Sequence, residues 1–199
     1  MPVGEKEALT LQFSGFPRMN LSEKPILGHF NFCPSCGTAA KPHLEKSIFF
    51  CGDCDLEMHF SPVSSAAALI QDRDGNLLFT KRRKEPHKGK LGVPGGFVNP
   101  GEQLETAMLR EVKEEVGIDL DSWKYLGGWP NVYSYKSVVY SVNDVYFVAK
   151  VENFKNIQIC PDEIDGIHIE NPNTINFEDF SFPSLKAAVL MYLNNYHKE

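Results

Sequence analysis

The chain has 199 residues, 42% hydrophobic and 23% charged, which suits a globular protein of one ordinary domain plus a small appendage. Its formal net charge is −6, and neither residues 1–61 nor residues 62–199 carry a basic excess, so the balance argues against nucleic acid as a general partner. No apolar run approaches the roughly 18 residues needed to cross a bilayer, and the acidic N-terminus lacks the apolar stretch of a secretory signal, so no membrane partner and a cytoplasmic location are expected.

Residues 1–27 carry no sustained period and read as an irregular N-terminal segment. Residues 28–61 are dominated by Cys33-Pro34-Ser35-Cys36 and Cys51-Gly52-Asp53-Cys54. In a chain with no export signal, paired cysteines favour metal over disulfides. The spacing C-x2-C-x14-C-x2-C is one residue short of the common zinc range, yet four thiolates so placed can close a tetrahedral site. Cys33, Cys36, Cys51 and Cys54 are therefore expected to hold a structural Zn2+ in a zinc ribbon, with Gly37 and Gly52 easing the tight turns. Redox pairs are the alternative. His29, His43 and His59 lie nearby and are expected at the surface, because four thiolates already complete the metal's shell.

A boundary near Ser61-Pro62 begins the main domain, residues 62–199. Ala66–Ile70, the turn-forming Asp72-Arg73-Asp74-Gly75-Asn76 and Leu77-Leu78-Phe79 predict a β-hairpin. Residues 81–101 read as a basic loop rich in Gly and Pro. Its run Lys81-Arg82-Arg83-Lys84, with Lys88 and Lys90, is either a solvated loop or a grip on a terminal phosphate, with Arg82 the candidate.

A helix is predicted from about Gln103 to Val116, with Gly117 as terminator. Glu111, Glu114 and Glu115 are spaced i, i+3, i+4, so they share an arc of about 100°. Three like charges so close repel unless a cation sits among them, and hard oxygen ligands suit Mg2+ or Mn2+. Arg110, four residues before Glu114, is within reach of an ion pair.

Residues 96–118 match G-x5-E-x7-R-E-U-x-E-E-x-G-U, with U aliphatic, at Gly96, Glu102, Arg110, Glu111, Val112, Glu114, Glu115, Gly117 and Ile118. This resembles the signature of the Nudix hydrolases; chance would produce it on the order of once in 10⁹ windows. The resemblance implies an α/β/α sandwich with a mixed β-sheet. It also implies a pyrophosphohydrolase in which Glu111, Glu114, Glu115 and the Gly96 carbonyl bind the divalent cation. Arg110 then orients the cluster. The family varies in its general base: Glu111 is the candidate inside the motif and Glu163 the one downstream, beside Asp162 and Asp165.

Residues 123–151 are rich in Tyr, Val, Trp and Phe and predict two strands. Trp129, Tyr133 and Tyr135 are either core residues or surfaces on which a base stacks. A short strand is predicted over Glu163–Ile169 and an amphipathic helix over Pro183–Tyr196, giving an α/β fold with a mixed sheet covered on both faces. Cys160 receives no role. Ribbon followed by Nudix domain resembles the layout of the NADH pyrophosphatases. Their Ser-Gln-Pro-Trp-Pro-Phe-Pro-x-Ser motif is here reduced to Trp129-Pro130. ADP-ribose, NADH, sugar nucleotides and dinucleoside polyphosphates stay open as small-molecule substrates. The rival reading is a nucleotide-sensing module whose ribbon contacts a partner. A homodimer is compatible with the aromatic strands.

Overall fold

The computed structural model describes residues 24–39 and 42–196; the expectation for residues 1–23 lies outside them. The first strand, β1 (Lys24–Pro25), leads through a 3-10 turn into the cysteine-bearing segment. There β2 (Ile48–Phe50) and β3 (Glu57–His59) pair antiparallel. The main domain follows with β4 (Val63–Gln71), β5 (Leu77–Arg82), β6 (Leu91–Gly92), β7 (Gly95–Phe97) and α1 (Leu104–Val116). It closes with β8 (Trp123–Tyr135), β9 (Val138–Lys150), β10 (Ile164–Glu170) and α2 (Pro183–Tyr196).

One mixed sheet holds every strand except β2 and β3, in the order β1-β9-β4-β5-β10 with β6, β7 and β8 attached to β5, β4 and β9. Strand periodicity splits the apolar residues between its faces. Ala66, Ala68 and Ile70 of β4, with Val145 and Phe147 of β9, pack against Met108, Val112 and Val116 of α1. The intervening Leu69, Tyr146 and Val148 meet Leu185, Val189 and Tyr192 of α2. This is the expected sandwich.

The predicted hairpin forms differently. β4 and β5 pair only at Gln71↔Leu77, although Asp72 Oδ1 accepts hydrogen bonds from the Asp74 and Asn76 amides and shapes the turn. β4 instead runs parallel to β9 over nine residues and antiparallel to β7. The strand register, not the turn, decides these partners.

β8 occupies one edge of β9 along its length. On the other edge β1 meets Val138 and Val139, and β4 begins at Val142, both parallel to β9. The cysteine segment thus leaves and re-enters the sheet within a few residues of one strand. Its small core combines Leu27, Cys33, Phe49 and Cys51. Gly37 is left-handed at φ 77°, as the first turn requires; in the second turn Asp55, not Gly52, takes the left-handed position at φ 56°.

Candidate active site

Helix position decides how the three glutamates differ. At about 100° per residue, Glu115 lies roughly 40° from Glu111 toward the buried stripe of Met108 and Val112, whereas Glu114 lies about 60° the other way. Glu115 is accordingly partly buried and Glu114 exposed. Burial pushes the Glu115 carboxyl up to about 8, the Gly95 amide that donates to it at 3.2 Å only partly offsetting this. Glu111 is also raised, chiefly by burial, against the pull of Arg110.

Arg110 joins the parts of the motif. Its Nε and Nη2 donate to both oxygens of Glu102 at 2.8 and 3.0 Å, and its Nη1 to Glu111 at 2.7 Å and Glu114 at 3.2 Å. A further Nη2 bond reaches the Phe97 carbonyl. Glu102 also accepts from the Asn99 amide, which ties the loop to the helix. The guanidinium holds the Glu102 carboxyl down to about 2. Such bidentate, charge-assisted pairing fixes orientation as well as energy.

β7 brings its glycines against these carboxylates. A Cβ on Gly96 would stand 2.4 Å from Glu111 Oε1, and one on Gly95 2.4 Å from Ala67 Cβ. Only glycine permits both approaches.

The downstream loop hangs on the end of α1. The Gln158 and Cys160 amides donate to the Val116 and Glu115 carbonyls, which have no partner within the helix. Gly117, at φ 72°, closes the helix and leaves room for Gln158, whose Cβ would lie 3.1 Å from an added Cβ. Turning back through Cys160, the loop delivers Glu163 to the cluster. Carboxylate oxygens of Glu111, Glu115 and Glu163 lie within 4.8 Å of one another. Glu114 is instead directed to Arg110, Asp165 faces Arg83 at 3.6 Å, and Asp162 is exposed.

A cavity of about 200 Å3 shares Gly95 and Gly96 with this cluster. Arg82 and Tyr133 line it. The Arg82 guanidinium lies 5.1 Å from the centre of the Phe182 ring and donates to the Pro86 carbonyl. Tyr135 borders a separate apolar hollow with Phe97 and Tyr140. Trp129 lines neither; it is buried under α2 against Tyr146. Sequence reading missed Asp144, buried on β9 at the cavity, with Ser65, Asn131 and Ser184 around it. The signal was present: Asp144 shares a strand face with the apolar Val142, Tyr146 and Val148.

In the ribbon, Cys33 and Cys54, and Cys36 and Cys51, stand 3.6 Å apart, with all four sulfurs within 4.8 Å. Tetrahedral zinc at about 2.3 Å from each sulfur would set them about 3.8 Å apart. The four thiols therefore fit a metal. A hydrogen bond from the Thr38 backbone leads the effects that lower the Cys36 thiol, while the neighbouring sulfurs raise that of Cys54.

Among the described residues no helix is long and apolar enough to cross a membrane. The family model for the NUDIX domain matches residues 61–189. The "NAD-capped RNA hydrolase NudC" of Pseudomonas aeruginosa strain LESB58 is 33% identical over 104 residues, 51% of this chain and 37% of that protein. The "NAD-capped RNA hydrolase ndx-9" of Caenorhabditis elegans is 32% identical over 138 residues, 67% of this chain and 34% of that protein. The chain thus spans little more than a third of these relatives' length. A NUDIX hydrolase structure from Nitrosomonas europaea superposes with a TM-score of 0.62 at 20% identity, over 84% of this chain and 93% of that one.

Proposed function

The chain belongs to the Nudix family, and from that premise we propose that it is a divalent-metal-dependent hydrolase cleaving the diphosphate of a nucleoside diphosphate joined to a second group. One observation carries this reading: Glu111, Glu115 and Glu163 converge within 4.8 Å beside a cavity, although Glu163 is 48 positions beyond Glu115 in the chain. Three carboxylates so crowded, with Glu111 and Glu115 raised by burial, are a poor structural element without a cation.

Hard oxygen donors of this kind suit Mg2+ or Mn2+. Glu111 and Glu115 would hold it, with Glu114 and the Gly96 carbonyl as the further ligands the family motif implies, and Glu163 would stand beside it. When bound there, the cation supplies charge neutralisation at the phosphates and a lowered pKa for its water. Arg110 keeps Glu111 and Glu114 oriented and the Glu102 loop closed. Glu163 is the better general base, because Arg110 engages Glu111 at 2.7 Å while Glu163 is exposed and in no ion pair among the described residues. Arg82 and Tyr133 bind substrate in the cavity. The ribbon's four cysteines hold a structural zinc.

The test is turnover by purified protein with magnesium of ADP-ribose, NADH, sugar nucleotides, diadenosine polyphosphates and, given the names of its relatives, an NAD-capped RNA oligonucleotide. Hydrolysis of at least one at the diphosphate is expected. Tight binding of one with turnover of none would replace the hydrolase with a nucleotide-sensing module. Glu163→Gln is expected to lower kcat by about 10²–10⁴ while metal affinity falls far less; an unchanged kcat would return the base to Glu111.

A further inference from the structure

The face of the sheet beneath α2 continues beyond the helix. On β9, Tyr140, Val142, Asp144, Tyr146 and Val148 alternate onto that face. Tyr146 and Val148 pack under α2, Val142 and Asp144 line the cavity, and Tyr140 lines the separate apolar hollow. Helix, cavity and hollow thus follow one another along a single strand. The hollow measures about 440 Å3, within the roughly 300–1,000 Å3 typical of small-molecule sites. Val63, Phe97, Tyr133, Tyr135 and Tyr140 form its walls. Val63, Phe97 and Tyr135 are 40, 44 and 46% exposed. Single exposed apolar side chains are ordinary, but several gathered in one concavity mark a binding site.

Two residues join the hollow to the carboxylates. Phe97 directly follows Gly96, which meets Glu111, and Arg110 Nη2 donates to the Phe97 carbonyl at 3.2 Å. The arginine of the motif therefore fixes the backbone that carries the Phe97 ring. Phe97 and Tyr133 line both the cavity and the hollow, packed edge to face with ring centres 5.4 Å apart. Tyr135, two residues on along the same strand face, extends the wall about 7 Å further from the cavity. The hollow is poor in polar groups. No charged side chain lines it, and its side-chain hydrogen-bonding groups are the hydroxyls of Ser64 and three tyrosines. The Val98 amide is already taken by the Ser64 carbonyl at 3.0 Å, and Tyr133 pairs with Tyr140 in the β8–β9 ladder. A sugar placed here would bury hydroxyls with few partners, whereas a hydrocarbon chain would bury none.

We propose that the hollow is a specificity subsite for the group beyond the diphosphate, and that it takes an alkyl or aryl chain in preference to a sugar. The inference rests on the hydrolase reading for the position of the diphosphate, beside Gly96 and Glu111. A chain esterified to the distal phosphate then passes Phe97 and Tyr133 and lies against Tyr135, Tyr140 and Val63. The walls are themselves partly exposed, so a methylene seated there keeps one side in water. About half the transfer free energy of a fully buried methylene is then gained, a factor of about two in affinity for each one added.

The experiment is calorimetric titration of the full chain, with magnesium, against α,β-methylene ADP carrying a methyl, propyl or hexyl ester on its β-phosphate, and against the same analogue of ADP-ribose. The methylene bridge replaces the oxygen at which hydrolysis would occur, so binding is read without turnover. The Kd is expected to fall about thirtyfold from methyl to hexyl, with the hexyl ester binding more tightly than the ADP-ribose analogue. Tyr135→Ser should cut that span to about fivefold by removing one wall. A thermal melt checks its folding, and Val63→Ser decides the matter in the same way if Tyr135→Ser does not fold. Equal Kd for the three esters, tighter binding of the ADP-ribose analogue, or an undiminished span in the folded variant would overturn the proposal. A wild-type dimer that Tyr135→Ser separates in sedimentation, with no dependence on chain length, would also overturn it and assign the hollow to a second copy of this chain. A protein that hydrolyses nothing yet shows the chain-length dependence keeps this inference and loses the hydrolase. A protein that hydrolyses diphosphates without that dependence does the reverse.

Discussion

Replacing Gly96 with alanine adds one methyl group at the point where β7 meets the carboxylates. The backbone there is not left-handed, so alanine fits the strand. The new Cβ would stand 2.4 Å from Glu111 Oε1 and 2.5 Å from its Cδ, about 1 Å short of ordinary contact. The carboxylate must therefore move by about 1 Å, which changes its placement against Glu115 and Glu163 and its 2.7 Å bond to Arg110. Displacements of that size at a reacting centre cost on the order of 10² in rate. Stability should fall by only about 1 kcal/mol, since a partly exposed side chain can rotate away. The assay is kcat at saturating magnesium, with Mn2+ affinity by electron paramagnetic resonance and a thermal melt on the same preparation. Gly101→Ala is the control: its φ is +80° but nothing lies within 4 Å of an added Cβ, so it should cost stability and spare Mn2+ affinity. Wild-type turnover and Mn2+ affinity in Gly96→Ala would refute the assignment of Glu111 to the metal.

Three further outcomes are expected. Glu115 is pushed up to about 8 by burial, so the folded, metal-free protein binds a proton that the unfolded chain releases near its ordinary 4.5. Stability without metal should therefore fall as pH rises from about 4.5 to 8, and magnesium should raise Tm more at pH 8 than at pH 6; a pH-independent shift would contradict this. Metal analysis should find about one zinc per chain, and a strong zinc chelator should remove the ribbon's amide protection while moving the Tm of the main domain by only a few degrees. Trp129→Phe should destabilise by about 1–2 kcal/mol in denaturant melts, because Trp129 is buried against Tyr146, and should leave KM for the nucleotide substrate within twofold. A large rise in KM would restore Trp129 as a base-stacking residue.

Elements with their own period are legible in the amino-acid order alone. α2 spans Pro183–Tyr196 as predicted, and α1 ends at Val116 before Gly117. Residues 123–151 do contain the two long strands. Partner choice was not legible, because it depends on contacts distant in sequence: strong turn chemistry at Asp72–Asn76 predicted a hairpin that forms only one pair. The loop over 81–101 likewise hides β6 and β7, whose strand character comes from their neighbours β5 and β4. At the site, helical spacing grouped Glu111, Glu114 and Glu115, but spacing alone does not tell which flank of the stripe is covered. Glu163 was named from the loop but only the Cys160 turn brings it in. Asp144 escaped because its partners lie 79, 13 and 40 positions away, on three different elements.

The two parallel segments on one edge of β9 have a consequence for how the protein could be cut. Pro25 sits opposite Val139 and Val63 opposite Val142, a gap of about 10 Å at strand rise. Residues 26–62 are thus a detour within what is geometrically a single interrupted strand. A link of two residues from Pro25 to Val63 would restore that strand without rerouting any other part of the chain. Such an excision would remove Cys33, Cys36, Cys51 and Cys54 and keep Glu111, Glu114, Glu115 and Glu163, leaving a smaller protein in which the ribbon's contribution is measured by its absence.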